Sequence, residues 1–125
     1  MGEKKTILAI DDEMMLLDLF KKMLTPEYNV QTVSSASDAI NYLNNNKADV
    51  ILLDIEMPNI SGFEFLKDIR EIPSYMDAPI IIVSGNSGED FLNKAKNSSA
   101  FDVLTKPVKK EVLIDTIERS MAKKN

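Results

Sequence analysis

The sequence predicts a doubly wound α/β domain, with a five-stranded parallel sheet and five helices on its two faces. Three observations predict it. Short runs rich in Ile, Leu and Val alternate along the chain with segments of helical periodicity. Three of those runs are almost continuously apolar, as strands buried on both faces of a parallel sheet must be. No repeat, low-complexity stretch or linker-like shift breaks the 125 residues, so the chain reads as one domain, 1–125, with a core of about 5–123.

The strand candidates, in order, are Thr6–Ile10, Val30–Val33, Val50–Leu53, Pro79–Val83 and Val103–Leu104. The first helix is carried by the stripe Leu16, Leu19, Phe20 and Met23 and is stopped by Pro26. The second carries Ala36, Ala39, Ile40 and Leu43, starts at Ser35 or Ser37, and stops at the polar run Asn44–Lys47. Phe65, Leu66 and Ile69 follow Gly62 in the third, and Leu113, Ile117 and Met121 mark the fifth. The fourth, from about Gly88 to Asn97, has only Phe91, Leu92 and Ala95 as apolar anchors. It is the weakest helix of the five.

Composition narrows the chemistry. There is no cysteine, which excludes disulfides and thiolate catalysis and suits a reducing, cytoplasmic setting. There is no histidine, which removes imidazole metal ligands and the commonest general base. Any reaction must therefore use carboxylates, hydroxyls, lysine and backbone. A formal net charge of −5 argues against direct nucleic-acid binding through neutralised phosphates. The apolar runs fall far short of the roughly 20 residues that span a bilayer, and the charged start Met1–Thr6 lacks a secretory pattern. Neither a membrane nor a nucleic acid is an expected partner.

In open parallel sheets, ligands bind beyond the carboxyl ends of the strands. The residues just past the candidate strands are Asp11 and Asp12, Asp54, Ser84 and Lys106. Singly, each has an ordinary use. Asp11 or Asp12 suits a helix N-cap, Asp54 and Ser84 suit turns, and Lys106 suits a surface. Their joint occurrence at four strand ends carries more weight. Unit charges about 6 Å apart at an effective dielectric near 20 repel by roughly 2–3 kcal/mol per pair, so a cation is expected among the acids. The available ligands are hard oxygens, which favour Mg²⁺, with Mn²⁺ the second fit. A carboxylate left over can serve as a nucleophile, and Ser84 and Lys106 can hold phosphoryl oxygens.

The stretches Ile10-Asp11-Asp12, Leu53-Asp54-Ile55-Glu56-Met57-Pro58 with Gly62 following, Val83-Ser84-Gly85 and Leu104-Thr105-Lys106-Pro107 resemble the receiver domains of two-component response regulators. The likeness runs from about Lys5 to Lys123. The resemblance implies a flavodoxin-like strand order of 2-1-3-4-5 and a cis Lys106-Pro107 bond. It implies Asp54 as the phosphoacceptor, Asp12 as a direct metal ligand and Asp11 as an acid acting through metal-bound water. The Glu56 backbone carbonyl completes the protein ligands. Ser84 matches the hydroxyl that swings to the phosphoryl group, and Lys106 the cation that pairs with it. The implied upstream partner is a sensor histidine kinase or phosphotransfer protein. The implied downstream partner is a protein target or a fused output domain, reached through the fourth helix, fifth strand and fifth helix. Such a domain catalyses its own phosphotransfer and autodephosphorylation rather than turning over a substrate.

Three departures from the family pattern matter, the third involving two residues. Val103 stands where an aromatic switch residue is usual, with Phe101 two residues earlier. Ser99 replaces a common glycine, and Glu56 and Asn86 occupy positions that vary and tune phosphoryl lifetime. A second reading is a Mg²⁺-dependent phosphohydrolase with an aspartyl nucleophile, since Glu56 stands two residues after Asp54. Pro58 occupies the place of that group's following threonine or serine, and little chain is left for a substrate cap.

Overall fold

The computed structural model describes residues 4–58 and 61–122. Five strands alternate with five helices: β1 Thr6–Ile10, α1 Met14–Leu24, β2 Asn29–Val33, α2 Ala36–Asn45, β3 Val50–Asp54, α3 Gly62–Arg70, β4 Ile80–Ser84, α4 Glu89–Lys96, β5 Asp102–Thr105 and α5 Lys110–Ala122. All pairings are parallel and the order is β2-β1-β3-β4-β5, as the resemblance implied. A 3₁₀ turn, Pro73–Tyr75, was not anticipated from the sequence. The basic end Lys123-Lys124-Asn125 and the first three residues lie outside the described residues.

Strand alternation sorts the core into two layers. Leu8, Ile10, Ile51, Leu53, Ile80 and Ile82 pack with α2, α3 and Ala95 of α4 on one side. Ile7, Ala9, Val50, Leu52, Ile81 and Val83 pack with α1 and α5 on the other. Every residue of β3 and β4 is buried, which explains their unbroken apolar runs. Each Leu or Ile so buried contributes about 1.5–3 kcal/mol.

The helix starts and stripes needed correction in places. In α1 the core side is Leu17, Phe20 and Leu24, while Leu19 is exposed and Leu16 and Met23 are only partly buried. The stripe was misphased because α1 is rich in apolar residues on more than one face, with Met14 and Met15 also exposed. Ser35, not Ser37, caps α2, accepting from the Asp38 N–H. The α4 helix is indeed thinly anchored, with Ala95 its one fully buried residue. At Gly62 a side chain would collide with the Ile55 backbone, so α3 can start close beneath the β3 loop only because this position is glycine. No described helix is long and apolar enough to cross a membrane.

The strand ends also moved by one residue. Asp54 pairs in register with Val83, and Ser84 with Thr105, so both are last residues of strands rather than first residues of loops. Pro79, which has no N–H to donate, precedes β4 and offers only its carbonyl, to Ile51 N at 2.9 Å.

Candidate functional site

The carboxyl edge of the sheet brings Asp11, Asp12, Asp54 and Lys106 together. Asp11, directly after β1, is 1% exposed, and Asp54 at the end of β3 is 3% exposed. Asp12 is exposed. One carboxylate oxygen from each of the three lies within 4.8 Å of the others. Local turns aim the buried pair. Asp11 Oδ1 accepts from Glu13 N at 2.9 Å, and Asp54 Oδ1 accepts from Glu56 N at 2.9 Å. Their second oxygens are thereby left facing the cluster.

Lys106 faces both. Its backbone N–H donates to the Ser84 carbonyl at 2.8 Å, continuing the β4–β5 pairing, and the Lys106-Pro107 bond is cis. The ammonium lies 3.3 Å from Asp11 Oδ2, 3.5 Å from Asp54 Oδ2 and 3.2 Å from Glu13 Oε1. Glu13 was missed from sequence. The signal was the third consecutive acid in Asp11-Asp12-Glu13.

The electrostatics follow from burial. Loss of water pushes the Asp11 carboxyl up to about 6, and the Asp54 charge adds to that; the Glu13 N–H and Lys106 pull the other way. Burial pulls the Lys106 ammonium down, but Asp11, Asp54 and the hydrogen bond to Glu13 outweigh it and hold it above the ordinary lysine value. At Asp11 burial is the larger cause, and repulsion by Asp54 only adds to it. Among the described residues Asp11 Oδ2 is a buried oxygen with no hydrogen bond, only the ion pair to Lys106. An orphaned oxygen in an all-oxygen cluster fits a hard divalent cation.

Ser84 and Glu56 form a second group beside the first. Ser84 is fully buried, and its Oγ donates to Glu56 Oε1 at 3.0 Å and accepts from Asn86 N at 3.0 Å. Glu56 itself is exposed. Val103 of β5 and Phe101, just before the strand, pack differently. Val103 packs against the layer of α2, α3 and α4, whereas Phe101 packs with the α1 and α5 layer under Arg119, 5.9 Å from ring centre to guanidinium.

A family model for the response regulator receiver domain matches residues 7–118. The chain is 34% identical over 123 residues to the hydrogenase transcriptional regulatory protein HoxA of Cupriavidus necator, covering 97% of this chain and 25% of that protein. It is 37% identical over 107 residues to the transcriptional regulatory protein YvrH of Bacillus subtilis, covering 84% and 44%. The chain thus spans a quarter to under a half of these relatives. Among solved structures, the chemotaxis protein CheY4 of Vibrio cholerae superposes with a TM-score of 0.88 at 28% identity, covering 94% of this chain and 99% of that one. A family match across nearly the whole sheet, on a fold of the same strand order, settles the kinship: the chain belongs to the receiver domains of two-component response regulators.

Proposed function

We propose that the chain is a phosphorylatable switch in which Asp54 accepts a phosphoryl group from the phosphohistidine of a sensor kinase or phosphotransfer protein. The observation that carries this reading is the buried Asp54 carboxylate, with Oδ1 fixed by the Glu56 amide and Oδ2 turned to the Lys106 ammonium at 3.5 Å. An Asp54 oxygen attacks phosphorus, the P–N bond to the donor breaks, and an acyl phosphate forms. Lys106 exchanges its carboxylate partners for the new phosphoryl oxygens, and Ser84 donates its hydroxyl to them. Attack by water later releases inorganic phosphate and restores the carboxylate.

Asp11, Asp12, Asp54 and the Glu56 carbonyl would hold Mg²⁺. When bound, the ion neutralises the crowded acids and the charge on the arriving phosphoryl group. We assign the output to the surface of α4, β5 and α5. Leu92 and Val112 are exposed there, and a groove between α4 and β5 is lined by Ala95, Phe101 and Val103. The partner reading that surface is a separate protein or a fused output domain, and the reducing cytoplasm is the setting.

Incubation with Mg²⁺ and acetyl phosphate tests the reading. One base-labile phosphoryl group should appear by mass spectrometry and be lost in Asp54→Asn. Full modification of that variant overturns the assignment. Small phosphoesters should not be turned over, which separates the switch from a phosphohydrolase. Mg²⁺ at about 100 times its dissociation constant should stabilise the domain by about 2.7 kcal/mol. Asp12→Ala, at an exposed position, should fold like the parent and lose most of that gain in a thermal melt.

A further inference from the structure

The Ser84 hydroxyl is fully engaged. A serine offers one proton and can also accept. An ionised carboxylate only accepts and a backbone N–H only donates, so the directions are fixed. The Ser84 proton goes to Glu56 Oε1 at 3.0 Å, and Ser84 Oγ receives the Asn86 N–H at 3.0 Å. Asn86 Oδ1 in turn receives the Gly88 N–H at 2.9 Å, and Gly88 is the N-cap of α4. Three short bonds thus run from Glu56 to the start of the most thinly anchored helix.

We propose that Glu56 is a latch on Ser84, holding the single hydroxyl proton that a phosphoryl group on Asp54 would otherwise receive. The proposal rests on the reading of Asp54 as phosphoacceptor and names a positioning residue within it. For Ser84 to donate to a phosphoryl oxygen, its charge-assisted bond to Glu56 must break. The released carboxylate is exposed and returns to water, so the latch opens reversibly. Without it, the buried hydroxyl has lost its acceptor and turns to the next one available. Val103 offers no hydroxyl of its own to report the change. The Asn86 and Gly88 amides, bonded in series with Ser84, carry it toward α4 instead.

The test uses beryllofluoride, a noncovalent phosphoryl mimic, with Mg²⁺ and the full chain. Glu56→Ala should bind it about fivefold to tenfold more tightly, tenfold being about 1.4 kcal/mol. Glu56→Gln keeps an acceptor without the charge and should stay nearer the parent than Glu56→Ala does. In a Ser84→Ala background the gain from Glu56→Ala should vanish. Metal-free NMR gives a second readout: Glu56→Ala should release the Ser84 side chain into rotamer averaging, seen in its Hα–Hβ couplings, and shift the Asn86 amide. An equal gain in the Ser84→Ala background, or equal gains from Gln and Ala, would mean the charge acts directly on the anion and overturns the latch. An unchanged Ser84 rotamer in Glu56→Ala overturns it as well. A parent protein that takes up no beryllofluoride sinks the phosphoacceptor reading and the latch with it. Normal uptake without Ser84 release sinks the latch alone.

Discussion

The two edges of this sheet treat polar groups in opposite ways. At the amino edge they are closed off. Arg70, at the end of α3, donates to the carbonyls of Tyr75 and Ala78 at 2.9 and 2.7 Å. It also donates to Ser99 Oγ at 2.9 Å and the Ser99 carbonyl at 2.8 Å. The Tyr75 hydroxyl bridges Asn46 O and Ala48 N, and Asp49 accepts from Thr6 N at 2.8 Å. At the carboxyl edge the buried acids crowd one ammonium, and Asp11 Oδ2 is left without a hydrogen bond. One edge uses its polar groups to join loops. The other leaves them crowded, with one buried oxygen unpaired, at a cost in stability.

The sharpest way to break this contrast is to remove the clamp. Arg70→Ala strands partly buried carbonyls and frees the α4–β5 loop, so it should lower stability by about 2–4 kcal/mol in urea. Acetyl-phosphate labelling of the fraction still folded should be unaffected, because Arg70 stands at the far edge. Lys106→Ala should do the reverse to the chemistry, slowing labelling by about tenfold or more, which is at least about 1.4 kcal/mol of barrier. Loss of labelling in a well-folded Arg70→Ala protein would show that the edges are not independent.

A smaller effect reads the stored cost directly. The Asp11 carboxyl sits at about 6 in the folded protein against its ordinary 3.8. The folded state therefore holds a proton that the unfolded state has released. This contribution is complete below 3.8 and is lost as pH rises through about 6. Metal-free protein should be more stable at pH 5 than at pH 7.5, with Asp11 supplying about 1–1.5 kcal/mol of the difference. Asp11→Asn should flatten that slope, and saturating Mg²⁺ should do so without mutation. Parallel pH profiles for parent and variant would place the strain elsewhere.

The carboxyl edge was the more legible in sequence, for a physical reason. Its chemistry needs particular residue types at strand ends, and Asp11, Asp12, Asp54, Ser84 and Lys106 announce themselves by type and spacing. The apolar runs likewise mark β3 and β4, because a strand covered on both faces tolerates little else. What could not be read was partnership between distant residues. Arg70 and Ser99 are 29 positions apart, and Glu56 and Ser84 are 28. Side chains that meet only after the sheet closes leave no local periodicity. The misphased α1 stripe has a different cause: Leu16, Leu17, Leu19 and Phe20 satisfy more than one helical face, and only packing chooses among them.

Ser99 allows the finest test of the amino edge. It stands at a position where the family commonly has glycine, and the structure gives the hydroxyl a use, as acceptor for Arg70 Nε at 2.9 Å. The second Arg70 bond to this residue goes to its carbonyl and survives any side-chain change. Ser99 is exposed, so water can replace the lost hydroxyl, and Ser99→Ala should cost only about 0.5–1 kcal/mol. Ser99→Gly loses the same bond and also gains backbone freedom in the unfolded chain, so it should fall about 0.5 kcal/mol lower still. Urea midpoints at constant m measure both. In an Arg70→Ala background the difference between serine and alanine should shrink to nothing, since the donor is gone. If Ser99→Ala costs the same with and without Arg70, the hydroxyl stabilises its own loop, and the clamp at the amino edge depends on carbonyls alone.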